Sequence, residues 1–72
     1  MQKYDYSKLL GRMKEYGFTQ ARLAKELGMS ECSINFSLNN KRNFRQDEIL
    51  EVSNILDIPI GEIETYFFDH KL

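Results

Sequence analysis

The chain is short of several things at once, and each shortage closes off a class of answers. Of its 72 residues one is cysteine (Cys32), one is histidine (His70) and none is tryptophan. A single cysteine cannot close an internal disulfide, and with one histidine it is too thin a donor set for a protein-only zinc site. No metal and no other cofactor is therefore expected. No apolar run approaches the ~20 residues needed to cross a bilayer, and residues 1–6 lack the apolar centre of a secretion signal. The expected setting is the cytoplasm, away from membranes. A basic excess is missing too. Lys and Arg number 10 against 11 Asp and Glu, a net charge of −1, whereas dedicated nucleic-acid binders usually carry surplus positive charge.

Catalytic machinery is equally scarce. General acid–base work needs paired titratable groups in a cleft, and a nucleophile needs an oriented base beside it. The acidic residues here are spread along helical stretches, His70 has no evident partner, and no glycine-rich phosphate loop appears. A chain this short buries only about 60% of its unfolded surface and leaves little room for a substrate cavity. No catalytic residue is assigned, and an enzyme is not expected.

What is present is organised around residues 19–38, TQARLAKELGMSECSINFSL. Thr19 is placed to cap a first helix made of good helix formers. Leu23 and Leu27 lie one turn apart as a buried ridge, with the small Ala24 beside them. Gly28 follows the last apolar residue, where a left-handed stop is least strained without a Cβ. Ser30 caps a second helix whose inner side carries Ile34 and Leu38. Two helices with a small residue inside the first and glycine between them describe a helix-turn-helix.

The flanks fill in a bundle. Tyr6, Leu9, Leu10 and Met13 repeat at helical spacing and predict a helix to about Tyr16, capped by Asp5 or Ser7. Gly17 ends it, and Phe18 forms a hydrophobic staple with Leu23. NNKRNFRQ, residues 39–46, reads as the longest loop, holding Lys41, Arg42 and Arg45 and pinned by Phe44. Asp47 and Glu48 suit the positive end of a fourth helix with Ile49, Val52 and Leu56 inward. Pro59 and Gly61 interrupt, and a short fifth helix over 62–68 buries Ile63 and Phe67. Residues 1–6 and 69–72 are expected to be loose. The expected fold is all-α: one domain over residues 1–72, a compact bundle of four to five short helices.

This order resembles the Cro/C1-type helix-turn-helix domains of phage repressors, the lambda-repressor-like DNA-binding fold, over residues 9–68. Thr19, Gln20, Leu23, Ala24, Gly28 and Ile34 match that family's signature positions. SLNNK at 37–41, Phe44 and the closing Tyr66, Phe67 and Phe68 resemble a narrower branch, small Cro-like proteins of temperate phages of Gram-positive bacteria, and length and motif order together resemble the modulator-of-repression antirepressors of temperate lactococcal phages. The resemblance implies a protein that opposes the phage CI repressor and favours lytic growth in the genetic switch. Asn40 stands where many relatives have glycine. Ser37 stands where the narrower branch often has a basic residue, which removes a phosphate contact.

The outward face of the third helix separates two functions. With Ile34 and Leu38 inward, Cys32 and Phe36 point away, flanked by Glu31, Asn35 and Asn39. A groove-reading helix should offer donors to base edges amid positive charge, but Glu31 would be repelled by phosphates and Phe36 suits an apolar protein groove. Aromatic anchors dominate protein interfaces, whereas protein–DNA surfaces are strongly positive. The leading expectation is therefore a surface for the N-terminal domain of the cognate phage CI repressor, made of Gln20, Ser30, Glu31, Cys32, Asn35, Phe36 and Asn39. The alternative is a Cro-like repressor that binds operator DNA directly through Gln20, Ser30, Ser33, Asn35, Lys41, Arg42 and Arg45, and joint occupancy of DNA with the repressor stays open. A partner-binding domain needs no two-fold axis to match half-sites, so the free protein is expected to be a monomer. Phe36 is expected to shelter against Phe44 or the aromatics of 66–68 when no partner is bound.

Overall fold

Periodicity becomes five α-helices among residues 3–70, the residues that this computed structural model describes. They are α1 (Ser7–Glu15), α2 (Gln20–Leu27), α3 (Glu31–Leu38), α4 (Gln46–Ile55) and α5 (Ile63–Phe67), with a 3-10 turn at Ile60–Glu62 before α5. The all-α expectation holds, and the three-residue turn 28–30 joins α2 to α3.

The first four helices stop by the same device. One residue takes a positive φ, and the amide after it reaches back to a carbonyl of the last turn, a Schellman arrangement. The positive-φ residues are Gly17, Gly28, Asn40 and Asp57. The closing bonds are Phe18 N to Met13 O at 2.8 Å, Met29 N to Ala24 O at 2.9 Å, Lys41 N to Phe36 O at 2.8 Å and Ile58 N to Ser53 O at 2.8 Å. Each brings an apolar or long side chain back over the helix it leaves, so the turns are short and the helices fold onto one another. Thr19 and Ser30 cap α2 and α3 as expected, their hydroxyls accepting from Arg22 N and Ser33 N at 3.1 Å each. At α1 the cap comes from one residue further out: Asp5 Oδ1 accepts from Ser7 N at 2.9 Å and from Ser7 Oγ at 2.6 Å.

Leu9 and Met13 of α1, Leu23 and Ala24 of α2, Ile34 and Leu38 of α3, Val52 and Leu56 of α4 and Phe67 of α5 are buried together. Leaving a side chain of this size in water instead costs about 1.5–3 kcal/mol each. Ile58, three residues past the end of α4, is buried in the same core. Phe44 does anchor the long loop: its ring stands edge-on to Tyr6 at 5.5 Å and to Phe67 at 5.4 Å.

The two ends depart from expectation. Tyr4 and His70 form an antiparallel bridge, and Asp5 N donates to Asp69 O at 2.8 Å. Tyr6 is buried, and burial pushes its phenol above the ordinary value, with Tyr4 adding to the effect. The Asn40 side chain then grips the same segment, its Oδ1 accepting from Tyr4 N at 2.8 Å and its Nδ2 donating to Tyr4 O at 3.0 Å. Asparagine suits this position twice over: it accepts φ 61° and supplies a pairing edge to the N-terminal segment. The expectation of loose ends fails for residues 3–6 and 69–70, and its remainder falls on residues 1, 2, 71 and 72, outside the described residues.

Candidate functional site

The outward face of α3 is built by three local rules. Ser30 fixes where the helix begins, Ile34 and Leu38 fix its roll, and Asn40 ends it. Glu31, Cys32, Asn35, Phe36 and Asn39 are then exposed on one side. Glu31 is the first helical residue, and its carboxylate stabilises the positive helix end there. Asn35 Nδ2 donates to Gln20 Oε1 of α2 at 3.2 Å, and Asn39 Nδ2 donates to Asn35 O at 2.8 Å. A polar ladder thus runs from the start of α2 along α3 and holds the two helices in register. Ser30 Oγ donates to Ser33 Oγ at 2.9 Å, so the Ser33 hydroxyl is engaged within the cap. Cys32 is a free, exposed thiol beside them.

Phe36 is 42% exposed. Its ring lies under Lys41 Nζ at 5.7 Å, while Phe44 is occupied by Tyr6 and Phe67 and Phe68 stands against Tyr4. The expected aromatic shelter is absent; a cation leans on this ring instead.

The loop cations fare differently from one another. Arg42 turns inward, donating from Nη1 to Ser37 Oγ at 2.6 Å and from Nη2 to Glu48 Oε2 at 3.0 Å. Glu48 Oε1 accepts from Arg45 N at 2.9 Å, half of a capping box on α4. Burial alone would raise the Glu48 carboxyl. The Arg42 hydrogen bond, the Arg45 amide and the two guanidinium charges outweigh burial and hold it below the ordinary carboxylate value. Arg45 is exposed and lies 3.4 Å from Asp47, its Nε toward Oδ1. Lys41 alone of the three lies beside the α3 face. Ser37 is fully buried, so a basic residue at this position would not point outward from this backbone, and the missing phosphate contact inferred there is better described as an internal hydrogen-bond acceptor.

Sequence reasoning also missed Arg12. Its Nε donates to Leu56 O at 2.8 Å and its Nη2 to Asp57 O at 2.6 Å, capping the negative end of α4. Its guanidinium lies 4.7 Å from the Tyr16 ring centroid and 6.0 Å from that of Tyr66. The sign of it in the sequence is an arginine in the last turn of α1.

Fold and face together define a small all-helical bundle whose third helix presents an aromatic ring, a carboxylate and amides, with no arginine or lysine among α3's own residues. The sequence matches the model of a family described as "Protein of unknown function (DUF739)" over residues 2–70, and the chain belongs to that family. Among solved structures it is similar to the solution structure of the modulator of repression (MOR) of the temperate bacteriophage TP901-1 from Lactococcus lactis. The two share 39% sequence identity at a TM-score of 0.79, over 96% of this chain and 93% of that one. The expected resemblance to the modulators of repression is borne out. No curated protein matches the chain. No helix among the described residues is long and apolar enough to cross a membrane.

Proposed function

We propose that this chain is a phage antirepressor that binds the N-terminal, DNA-binding domain of its cognate CI repressor and keeps that domain off its operators. One observation supports this beyond the likeness to a modulator of repression: the exposed side of α3 carries Phe36 and Glu31 where a base-reading helix would carry cations. A repressor's operator-binding surface is basic, so an acidic and aromatic face complements it and competes with DNA for the same area. Phe36 is the anchor, Glu31 the charge partner, and Gln20, Ser30, Cys32, Asn35 and Asn39 form the polar rim. The polar ladder from Gln20 to Asn39 holds that rim in place before binding, which lowers the ordering cost of association. Acting on a repressor of phage operators, the protein works in the cytoplasm of the bacterial host, and the free protein is a monomer.

Calorimetric titration against the purified repressor N-terminal domain is the direct test. Folded Phe36→Ala and Glu31→Lys variants that bind as tightly as the parent would remove α3 from the interface. Direct operator binding is the competing function, and a gel shift on the neighbouring promoter distinguishes it. Tight, sequence-specific binding by this protein alone at moderate salt would favour it.

A further inference from the structure

The molecule is electrically divided. Residues 1–45 hold nine of the ten Lys and Arg residues, and from Gln46 to His70 there is none, against seven carboxylates. Three of those seven are taken up in ion pairs: Asp47 with Arg45, Glu48 with Arg42 and Asp69 with Lys8. Glu51, Glu62 and Glu64 are exposed, and among the described residues none of the three is in an ion pair.

Glu51 lines an apolar groove between α4 and the 3-10 turn with α5, and the exposed Glu62 and Glu64 stand on either side of Ile63, another of its lining residues, in the chain. It is made of two adjoining hollows that share Leu50 and Ile63, with Ile60 lining one and Phe68 the other. Ile60 is 84% exposed, Leu50 52% and Phe68 42%. Single exposed apolar residues need no explanation, but a contiguous row flanked by charge of one sign marks a surface for a partner.

We propose that this groove docks an amphipathic helical segment of another protein, with apolar residues at i, i+3 or i+4 and i+7 facing Leu50, Ile63 and Phe68 and lysines or arginines on its flanks. Charge complementarity selects this occupant. Nucleic acid and anionic lipid are repelled by Glu51, Glu62 and Glu64. A second copy docked about a two-fold axis sets those same carboxylates against one another, because an isologous contact pairs each patch with itself. A basic helix laid in the groove buries the apolar row and neutralises its rim together. The groove does not involve α3, so a repressor held on α3 leaves it open, and this inference does not rest on the α3 assignment.

The test uses the whole protein, labelled with nitrogen-15, and a synthetic helical peptide with a leucine face and lysine flanks. Amide shifts are expected at Leu50, Glu51, Ile60, Ile63 and Phe68, with α3 unmoved. Combined Glu51→Lys, Glu62→Lys and Glu64→Lys substitution is expected to weaken binding about tenfold or more, and added salt to weaken it in the parent. Ile60→Ser, at a site that contributes little to the core, should keep the melting temperature and lose affinity. The Phe36→Ala variant should bind the peptide as the parent does. Equal binding of a peptide with glutamate flanks, or shifts on α3 in place of the groove, would overturn the proposal. So would concentration-dependent dimerisation of the free protein with shifts at these same residues.

Discussion

Lys41 and Arg42 are adjacent in the chain and serve opposite sides of it. Lys41 lies over the Phe36 ring on the outward face of α3, whereas Arg42 is drawn between Ser37 and Glu48 on the inward side. Asn40, in the left-handed region at φ 61°, turns the chain just before them, and the Lys41 amide closes the turn on Phe36 O. Counting cations in a loop therefore overstates what a loop offers to phosphate. One of the three is spent on joining α3 to α4, one is paired with Asp47, and the one beside the face covers an aromatic ring. On the proposed function the outward pair serves recognition, whereas the inward trio serves stability, and the two can be separated by substitution.

The largest effect is expected on recognition. Phe36→Ala should cost at least about 2 kcal/mol of repressor binding, roughly 30-fold in affinity, as a central aromatic anchor does. Because the ring is half exposed, its loss should leave the melting temperature nearly unchanged. Titration calorimetry and thermal unfolding on the same sample check both halves. If the stability falls and the affinity does not, the outward pair belongs to the core and the comparison collapses.

Next in size is the inward trio. Glu48→Gln keeps the shape and removes the charge that Arg42 and the Arg45 amide both use. An unpaired buried charge is destabilising by about 3–5 kcal/mol, and since Arg42 stays partly in contact with water about 1–3 kcal/mol is expected, read by urea unfolding. The same pair has a pH signature. Folding lowers the Glu48 pKa, so the unfolded chain takes up the proton first. Its contribution is whole above the ordinary carboxylate value and is lost as pH falls through the lower, folded one. The stability gap between parent and Glu48→Gln should thus be level near neutral pH and narrow in acid. A gap that widened in acid would contradict the direction of this shift.

Asn40 comes third, because it parts the two sides. Asn40→Gly keeps the turn and loses both hydrogen bonds to Tyr4, a loss of about 1 kcal/mol. Asn40→Ala also strains the positive φ, adding about 1 kcal/mol. Amide exchange at Tyr4 should accelerate in both variants, and only the alanine should disturb Lys41.

What could be foreseen from sequence divides along similar lines. Thr19, Gly28 and Ser30 obey rules that involve three or four residues of chain, and each does what its type dictates. Burial of Ser37 was also legible, since it lies three residues after Ile34 on the inner stripe; resemblance drew attention instead to the charge that relatives carry there. Asp57 gave a weaker sign, being a residue that tolerates left-handed backbone two positions ahead of Pro59. The Arg12 cap on Leu56 and the Asn40 grip on Tyr4 span 44 and 36 positions, and nothing local specifies which carbonyl or amide each side chain will meet. The groove along α4 was hidden for another reason. Leu50 and Ile60 are apolar by type, and only the packed bundle shows that the core is filled without them.

Lys41 carries the smallest effect and the sharpest discrimination between the two functions. An ammonium over an exposed ring is worth about 0.5–1 kcal/mol, so Lys41→Ala should lower stability by less than about 1 kcal/mol. Its effect on any DNA binding is set by counting phosphates. With Arg42 held by Ser37 and Glu48, the loop can offer Lys41 and, once parted from Asp47, Arg45. Each neutralised phosphate contributes about −0.9 to the slope of log affinity against log salt, so two cations give a slope near −2. Lys41→Ala should then halve it. Fluorescence anisotropy on an operator duplex across a salt series measures both slopes. A parent slope of about −5 or steeper would require cations from elsewhere, and would mean that a basic surface outside this loop binds the duplex. A shallow slope, halved by one substitution, leaves too little electrostatic attraction for specific operator binding at cellular salt, and leaves α3 to its protein partner.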